Sequence, residues 1–149
     1  MTATGHAIIG TVIAAKIANP YLAIPIAISS HFAADLFPHW DTATNLRKKG
    51  VTRVFTETII DVFLGLTTSY LVLNYLSPSA DFSYALLIII FAQLPDWLMS
   101  PYVFFKIKIK LFKWAYDIQQ PFNKKLDKPW GIINQIAVLV LIVILAKVF

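Results

Sequence analysis

The sequence contains no cysteine and few charged residues. None of its 149 residues is Cys, and only 14% are Asp, Glu, Lys or Arg, whereas 58% are hydrophobic. The lack of cysteine excludes disulfide scaffolds, zinc fingers, thiol nucleophiles and iron–sulfur clusters. The charged fraction lies well below the roughly 25% that is usual in soluble proteins, and the mean hydropathy is +0.67. We therefore expect one integral membrane domain, residues 1–149, rather than a water-soluble globule.

Long apolar stretches predict the transmembrane helices. A helix needs about 20 largely apolar residues to cross a bilayer, and three stretches come close to this length. They are 58–76, 82–103 and 131–149. Lys and Arg are absent from the first fifteen residues, so the N-terminal apolar region lacks the basic start of a secretory signal. We interpret that region as uncleaved and helical.

The N-terminal region is divided by Asn19-Pro20, which is typical of an N-cap followed by a first-turn proline. This predicts a short helix over about 4–17, either re-entrant or shielded by its neighbours, and a second helix over about 20–37 that Pro25 kinks. The predicted fold class is therefore all-α, a polytopic transmembrane bundle of four to five helices.

The basic residues lie in the connections between the apolar stretches. A net charge of +5 would suggest nucleic acid in a soluble protein, but no nucleic-acid motif accompanies these residues. Most of them fall in 42–54 and 104–130, whereas the turn 77–81 has none. The positive-inside rule then predicts that both basic segments are cytoplasmic and that the turn is external. We expect the cytoplasmic membrane of a bacterium or an archaeon.

One basic segment, 104–118, alternates lysines with large apolar residues. At helical spacing Lys106, Lys110 and Lys113 share one face, which predicts a basic amphipathic helix that lies on the cytoplasmic membrane surface. Such a face attracts anionic lipid headgroups. A topology signal alone is a compatible explanation for the same lysines.

Ionisable residues occur inside the apolar segments, where each costs roughly 2.5–3.5 kcal/mol to insert and by default marks function. They are His6, His31, Asp35, Asp61 and Asp96, with His39 and Asp41 just beyond Pro38. At 1.5 Å per residue all of them fall in the cytoplasmic half of the bilayer. Helices that run in alternating directions have no sequence reason to place such groups at one depth, so we predict a shared site.

The residue types at this site favour a divalent metal. His31 and Asp35 project from one helical face because they are four residues apart. Imidazole and carboxylate ligands together suit Zn²⁺, Mn²⁺ or Fe²⁺ better than Ca²⁺, and the number of candidates allows two ions. Metal-activated water would hydrolyse an ester, with Asp61 or Asp96 orienting the water or acting as base.

Parts of the sequence resemble a known group of proteins. The motifs are Thr4-Gly5-His6, the segment from Ser30 to Asp41, and Leu94-Pro95-Asp96. They are similar to those of small integral-membrane metal-dependent hydrolases and, loosely, of zinc-dependent phospholipase C. The resemblance implies metal binding by His6, His31, Asp35, His39 and Asp96.

The leading hypothesis is a metal-dependent hydrolase that acts on a lipid-borne or membrane-proximal ester or phosphoester at the cytoplasmic leaflet. One alternative is ion or proton transport, in which acids and imidazoles line a pathway. Another is a non-catalytic membrane protein whose polar cluster locks helix packing. The expected partners are membrane lipids, with no nucleic acid.

Overall fold

The computed structural model describes residues 1–149 and is 76% helical, without strands. Its helices are α1 (Ala3–Lys16), α2 (Pro20–Asp35), α3 (Leu46–Lys49), α4 (Val51–Leu76), α5 (Phe82–Phe105), α6 (Lys110–Gln119) and α7 (Trp130–Val148). The predicted all-helical class is confirmed.

Three helices, α4, α5 and α7, are long and apolar enough to cross a membrane. Their outer faces expose large apolar side chains such as Phe63 (66%) and Leu71 (64%) on α4. Exposed apolar surface on this scale promotes aggregation in water, whereas it is favourable in contact with lipid. An integral membrane protein, as predicted from composition, is compatible with this surface.

The short helix α1 lies at the centre of the bundle. It packs against α2, α4, α5 and α7, and nine of its 14 residues are buried. Of the two arrangements expected from the sequence, α1 therefore has the shielded one. Because its neighbours cover it, α1 needs no long apolar run of its own to remain stable in the bundle.

Two glycines allow α1 to approach its neighbours closely. A Cβ atom on Gly10 would lie 3.0 Å from the Cα of Ile89 on α5, and one on Gly65 of α4 would lie 3.0 Å from the Cα of Thr4. Small residues at such crossings let helix backbones approach in membrane proteins. The two contacts fix α1 against both α4 and α5, and so fix the position of the residues that α1 carries.

The predicted amphipathic helix over 104–118 is wrong in its first part. Lys106 has a left-handed backbone (φ 58°), and the N–H groups of Lys106 and Ile107 both bond to the carbonyl of Pro101. This closing pattern ends α5, and a new helix starts only at Lys110. Lys106 therefore does not share a helical face with Lys110 and Lys113.

Two other boundaries differ from the predicted ones, by about half a turn and by about two turns. Helix α2 ends at Asp35, slightly before the predicted end, and α4 begins at Val51 rather than at Thr58. The early start of α4 includes Arg53 and Glu57, and Glu57 accepts from Arg53 at 2.9 Å and from Lys49 of α3 at 2.8 Å. A prediction from hydropathy alone starts the helix later, because hydropathy does not take account of ion pairs between charged residues.

The two basic segments meet at one end of the bundle. Lys49 and Lys128 approach the ring of Trp40 with their Nζ atoms 4.9 and 4.3 Å from its centroid. At the other end, Lys147 of α7 donates to the carbonyl of Tyr75 at the end of α4, at 2.7 Å. The basic segments are therefore on the same side of the molecule, opposite the turn 77–81, as the predicted topology requires.

Candidate metal centre

Six of the predicted ligands come together near the end of the bundle that carries the basic segments. They are His6 on α1, His31 and Asp35 on α2, His39 and Asp41 in the segment after α2, and Asp96 on α5. The imidazoles are all buried. Three helices and one loop thus contribute to a single cluster, which we call the His/Asp cluster.

Asp35 lies at the middle of the His/Asp cluster. Its Oδ1 is 3.3 Å from Nε2 of His6 and 3.6 Å from Nε2 of His39, whereas its Oδ2 is 3.8 Å from Nε2 of His31. The side chain is almost fully buried. Because its two oxygens face different imidazoles, Asp35 would be able to hold a cation together with these histidines.

His31 is held by a backbone carbonyl on the α5 side. Its Nδ1 lies 2.9 Å from the oxygen of Ala92, so this nitrogen carries the proton and donates. Metal-binding histidines commonly use one ring nitrogen in this way, which fixes the tautomer and leaves Nε2 free to bind. The ring is therefore oriented with Nε2 toward the cluster.

Oxygen atoms surround this Nε2. Asp96 Oδ1 lies at 3.6 Å and Gln119 Oε1 at 3.2 Å. The amide nitrogen of Gln119 donates to the carbonyls of Pro95 and Ala115, which turns its oxygen toward His31. A neutral imidazole would place a lone pair against these oxygens. The position beside Nε2 is therefore lined by oxygen atoms, which would suit a cation.

His6 completes a group that could hold a metal. Its ring stacks on His31 with centroids 3.9 Å apart and an interplanar angle of 18°. One ligand atom each from His6, His31 and Asp96 lies within 4.8 Å of the others. His6 Nε2 is buried and makes no hydrogen bond of good geometry, although Asp35 Oδ1 lies 3.3 Å from it. Buried polar atoms seldom lack a partner, so the donor set fits a bound cation.

His39 is positioned by the chain that follows α6. Its backbone N–H donates to the carbonyl of Lys124 at 3.1 Å, and its carbonyl accepts from Leu126 at 2.7 Å. A short parallel bridge to Lys125 results. The ring Nδ1 contacts the carbonyl of Phe37 at 2.8 Å, which again leaves Nε2 for the cluster. A segment remote in sequence therefore sets the place of this histidine.

The N-terminal amine of Met1 also contacts the cluster. It donates to Asp35 and lies 2.7 Å from His39 Nε2. Burial, together with the positive charge of this amine, lowers the pKa of His39 below its usual value. A neutral His39 offers its Nε2 lone pair as an acceptor or a ligand.

Asp41 lies at the edge of the His/Asp cluster. Its Oδ2 is 4.0 Å from His39 Nε2 and 2.9 Å from Lys125 Nζ. The lysine therefore compensates part of the negative charge at this edge. No sequence signal singled out Lys125 among the many basic residues of its segment.

Asp61 does not contact the imidazoles of the His/Asp cluster and binds the start of α1 instead. Its Oδ2 accepts from the N–H of Ala3 at 2.6 Å, and its Oδ1 accepts from the hydroxyl of Thr4 at 2.7 Å. The carboxylate thus accepts hydrogen bonds from N–H groups at the start of α1 that have no acceptor within the helix. The helix dipole also favours an acid at this end. The geometry gives Asp61 a role in anchoring α1, and its metal and catalytic roles stay predictions.

The three lysines predicted to hold a headgroup are exposed, and none contacts the His/Asp cluster. Lys106 donates to the carbonyl of Val103 at 3.1 Å, and Lys113 pairs with Asp117 on α6. Lys110 begins α6. A headgroup role for Lys106, Lys110 and Lys113 stays a prediction.

A cavity of about 300 Å³ adjoins the cluster, between α4 and α5. Asp35, Asp41, Asp61 and Asp96 all contribute to its wall. Sequence reasoning missed two further residues there, Gln93 and Asn123, each with a buried side-chain atom that lacks a partner. Gln93 could have been noticed, since an amide within an apolar helix is as anomalous as an acid, whereas Asn123 lies in a polar segment and gives no signal.

Comparison of the chain with protein families, with curated proteins and with solved structures finds no match. The function is therefore inferred from the geometry of the His/Asp cluster and its cavity.

Proposed function

We propose that the protein is a membrane-embedded, metal-dependent hydrolase that acts on an ester or phosphoester of a membrane lipid at the cytoplasmic leaflet. The observation that carries the proposal is the convergence of His6, His31, Asp35, His39 and Asp96 beside a cavity between two apolar helices. In this proposal α1 and α2 join α4, α5 and α7 as five membrane segments, with the basic end in the cytoplasm. The sequence resemblance to small membrane metal-dependent hydrolases supports the same assignment.

The proposed cofactor is one or two ions of Zn²⁺, Mn²⁺ or Fe²⁺. Buried imidazole and carboxylate donors suit these metals, and Nε2 of His6, which lies 3.3 Å from Asp35 Oδ1, gives one of them a ligand. The two oxygens of Asp35 face different imidazoles, which favours a second ion. When bound, such ions supply Lewis-acid polarisation of the ester and favour deprotonation of water.

The side chains around the cavity have distinct proposed roles. Asp96 is 30% exposed and lies 3.6 Å from His31 Nε2, so it faces both the cluster and the cavity. From this position its carboxylate is able to accept a proton from an attacking water. In this proposal Lys125, which lines the cavity, holds an anionic group, and the lysines of α6 attract anionic headgroups to this surface.

Metal analysis of the purified full chain tests the proposal. We expect one to two equivalents of Zn, Mn or Fe by elemental mass spectrometry, and loss of most of the metal in His31→Gln and Asp96→Asn. Asp117→Asn on α6 is the matched control, because its carboxylate is exposed and pairs only with Lys113. Asp96 is partly exposed, so its variant is expected to fold even if the buried His31 variant does not. Absence of bound metal in the wild-type chain after growth and purification with added metal would overturn the proposal.

A structural cluster is the second candidate, and one observation favours it. Lys125 already pairs with Asp41 at 2.9 Å, and His6 Nε2 lies 3.3 Å from Asp35 Oδ1, which offsets part of the electrostatic need for a metal. This candidate expects no bound metal, and a large loss of thermal stability in both cluster variants.

Transport receives less support, since Thr67 and Thr68 of α4 bond to their own helix backbone. They do not extend the polar cluster toward the opposite end of the bundle. The proposed hydrolase needs no such extension.

A further inference from the structure

Gln119 lies on the buried face of α6. The buried residues of this helix are Ala115 and Gln119, which share a face because they are four residues apart. Other side chains of α6, such as Leu111 and Trp114, are more than half exposed. Helix α6 packs against α5. Its buried face thus brings one amide side chain to the His/Asp cluster from outside the long apolar helices.

The orientation of the Gln119 amide follows from its hydrogen bonds. Its Nε2 lies 2.9 Å from the carbonyl oxygen of Pro95 and 2.8 Å from that of Ala115. Carbonyl oxygens only accept, so both of them face the NH₂ group, which has two hydrogens to donate. The reversed amide would set its oxygen against two carbonyl oxygens. Oε1 is therefore the atom that faces His31 Nε2, at 3.2 Å.

The distance between these two atoms is that of two donors on one ion. Donors that each lie about 2.1 Å from a metal are about 3.0 Å apart at a right angle and about 3.4 Å apart at the tetrahedral angle. The separation of 3.2 Å between Gln119 Oε1 and His31 Nε2 falls between these values. Asp96 Oδ1 at 3.6 Å and Asp35 Oδ2 at 3.8 Å lie slightly farther from the same nitrogen. Oxygens of three side chains thus surround one imidazole nitrogen.

The amide oxygen changes which metal the donor set favours. Without it, the group of His6, His31 and Asp96 holds two imidazoles and one carboxylate, a set that suits tetrahedral Zn²⁺ with one open position. Carbonyl and carboxylate oxygens suit Mn²⁺, which accepts six ligands. Because Zn²⁺ binds most nitrogen and oxygen sites more tightly than Mn²⁺, an added oxygen acts on the ratio of the two affinities.

We propose that Gln119 Oε1 is a further ligand of the metal in the His/Asp cluster, and that it raises the affinity for Mn²⁺ relative to that for Zn²⁺. Helix α6 then closes the metal centre and supplies a donor that none of the long apolar helices provides. Gln119 is not among the residues for which the sequence resemblance implies metal binding. The inference rests on the proposed function, since it takes from it the presence of a metal.

Metal titration of the full chain in detergent micelles tests the ligand. The protein is stripped with a chelator, and its affinities for Mn²⁺ and Zn²⁺ are measured separately, by electron paramagnetic resonance of free Mn²⁺ and by competition with a zinc indicator. Gln119→Met keeps the length of the side chain and removes its oxygen. We expect the Mn²⁺ affinity to fall by at least the roughly tenfold that loss of an outer-shell partner costs. The Zn²⁺ affinity is expected to fall several-fold less, because Zn²⁺ needs only four donors.

Two further variants separate the loss of a donor from a loosening of α6. Gln120→Met removes an exposed amide that bonds to the carbonyl of Tyr116, and both affinities are expected to match those of the wild type. Tyr116→Leu removes a ring contact with Tyr102 of α5, whose centroid lies 5.2 Å away, and is expected to change both affinities by the same factor. If Gln119→Met changes both affinities equally, or neither, the residue only packs α6 and the inference is overturned.

Infrared spectroscopy of the wild type decides the question if Gln119→Met does not fold. With the side-chain carbonyl of glutamine labelled with ¹³C, binding of Mn²⁺ through Oε1 is expected to lower the frequency of one labelled C=O band. No shift of any glutamine band on Mn²⁺ loading would overturn the inference. Metal bound by the wild type without involvement of Gln119 removes this inference alone. Absence of metal from the wild type removes the proposed function as well.

Discussion

Single residues decide what the His/Asp cluster offers to a ligand. The carbonyl of Ala92 occupies Nδ1 of His31 and leaves Nε2 for the proposed metal, and Gln119 is oriented because two carbonyls hold its amide nitrogen. The cost of ionisable groups in a membrane identified His31 from the sequence. The same rule does not identify Gln119, which follows a lysine-rich segment where a polar residue is ordinary.

At the residue scale, we predict that Asp61→Ala destabilises the protein by about 1–3 kcal/mol, since two partly buried donors at the start of α1 lose their acceptor. Unfolding in mixed micelles measures this. A double-mutant cycle with Thr4→Val checks the partner, and the combined loss is expected to be smaller than the sum of the single losses.

The folded fraction of Asp61→Ala is expected to keep its metal content. Loss of metal at unchanged stability would contradict the anchoring role and restore Asp61 as a ligand, as its position within an apolar segment predicts.

At the element scale, α1 is the helix whose place was hardest to predict. Its 14 residues are too few to span a bilayer unaided. The sequence of α1 does not predict which of the other helices pack against it. In the structure, Gly10 and Gly65 let α1 pack closely against α5 and α4. In this position His6 of α1 reaches Asp35 of α2.

We therefore predict that Gly10→Val costs about 1–3 kcal/mol and also weakens metal binding. The added side chain meets the backbone of α5 at Ile89, and overpacking of this kind forces helices apart. Ala33→Val, on an exposed position of α2, is the matched control for a β-branched substitution in a helix. Equal thermal stability of the two variants would refute the close approach of α1 and α5.

At the scale of the whole molecule, the absence of cysteine provides a direct test of topology. We predict that Ser79→Cys, in the turn between α4 and α5, reacts with a membrane-impermeant maleimide on intact bacterial cells. Lys108→Cys, between α5 and α6, is expected to react only after permeabilisation. Both positions are exposed, so accessibility within the protein does not separate them. The reverse pattern of labelling would place the basic end outside and contradict the proposed cytoplasmic site.

The sequence by itself determined the class of the protein and the residues of interest. Length, hydropathy and the scarcity of charge specify an apolar helical bundle, since only helices satisfy their backbone groups within one segment in lipid. The cost of burying acids and imidazoles singled out His6, His31, Asp35 and Asp96 before any contact was known.

Only the tertiary structure decided which partners each of these polar side chains has. It assigned Asp61 to the start of α1, placed His39 against the chain after α6, and left Gln93 without a partner on a cavity wall. Hydropathy is a property of each residue in turn, whereas these assignments depend on which atoms from distant segments meet. The competition among donors for a few buried acceptors is settled only when the helices have packed.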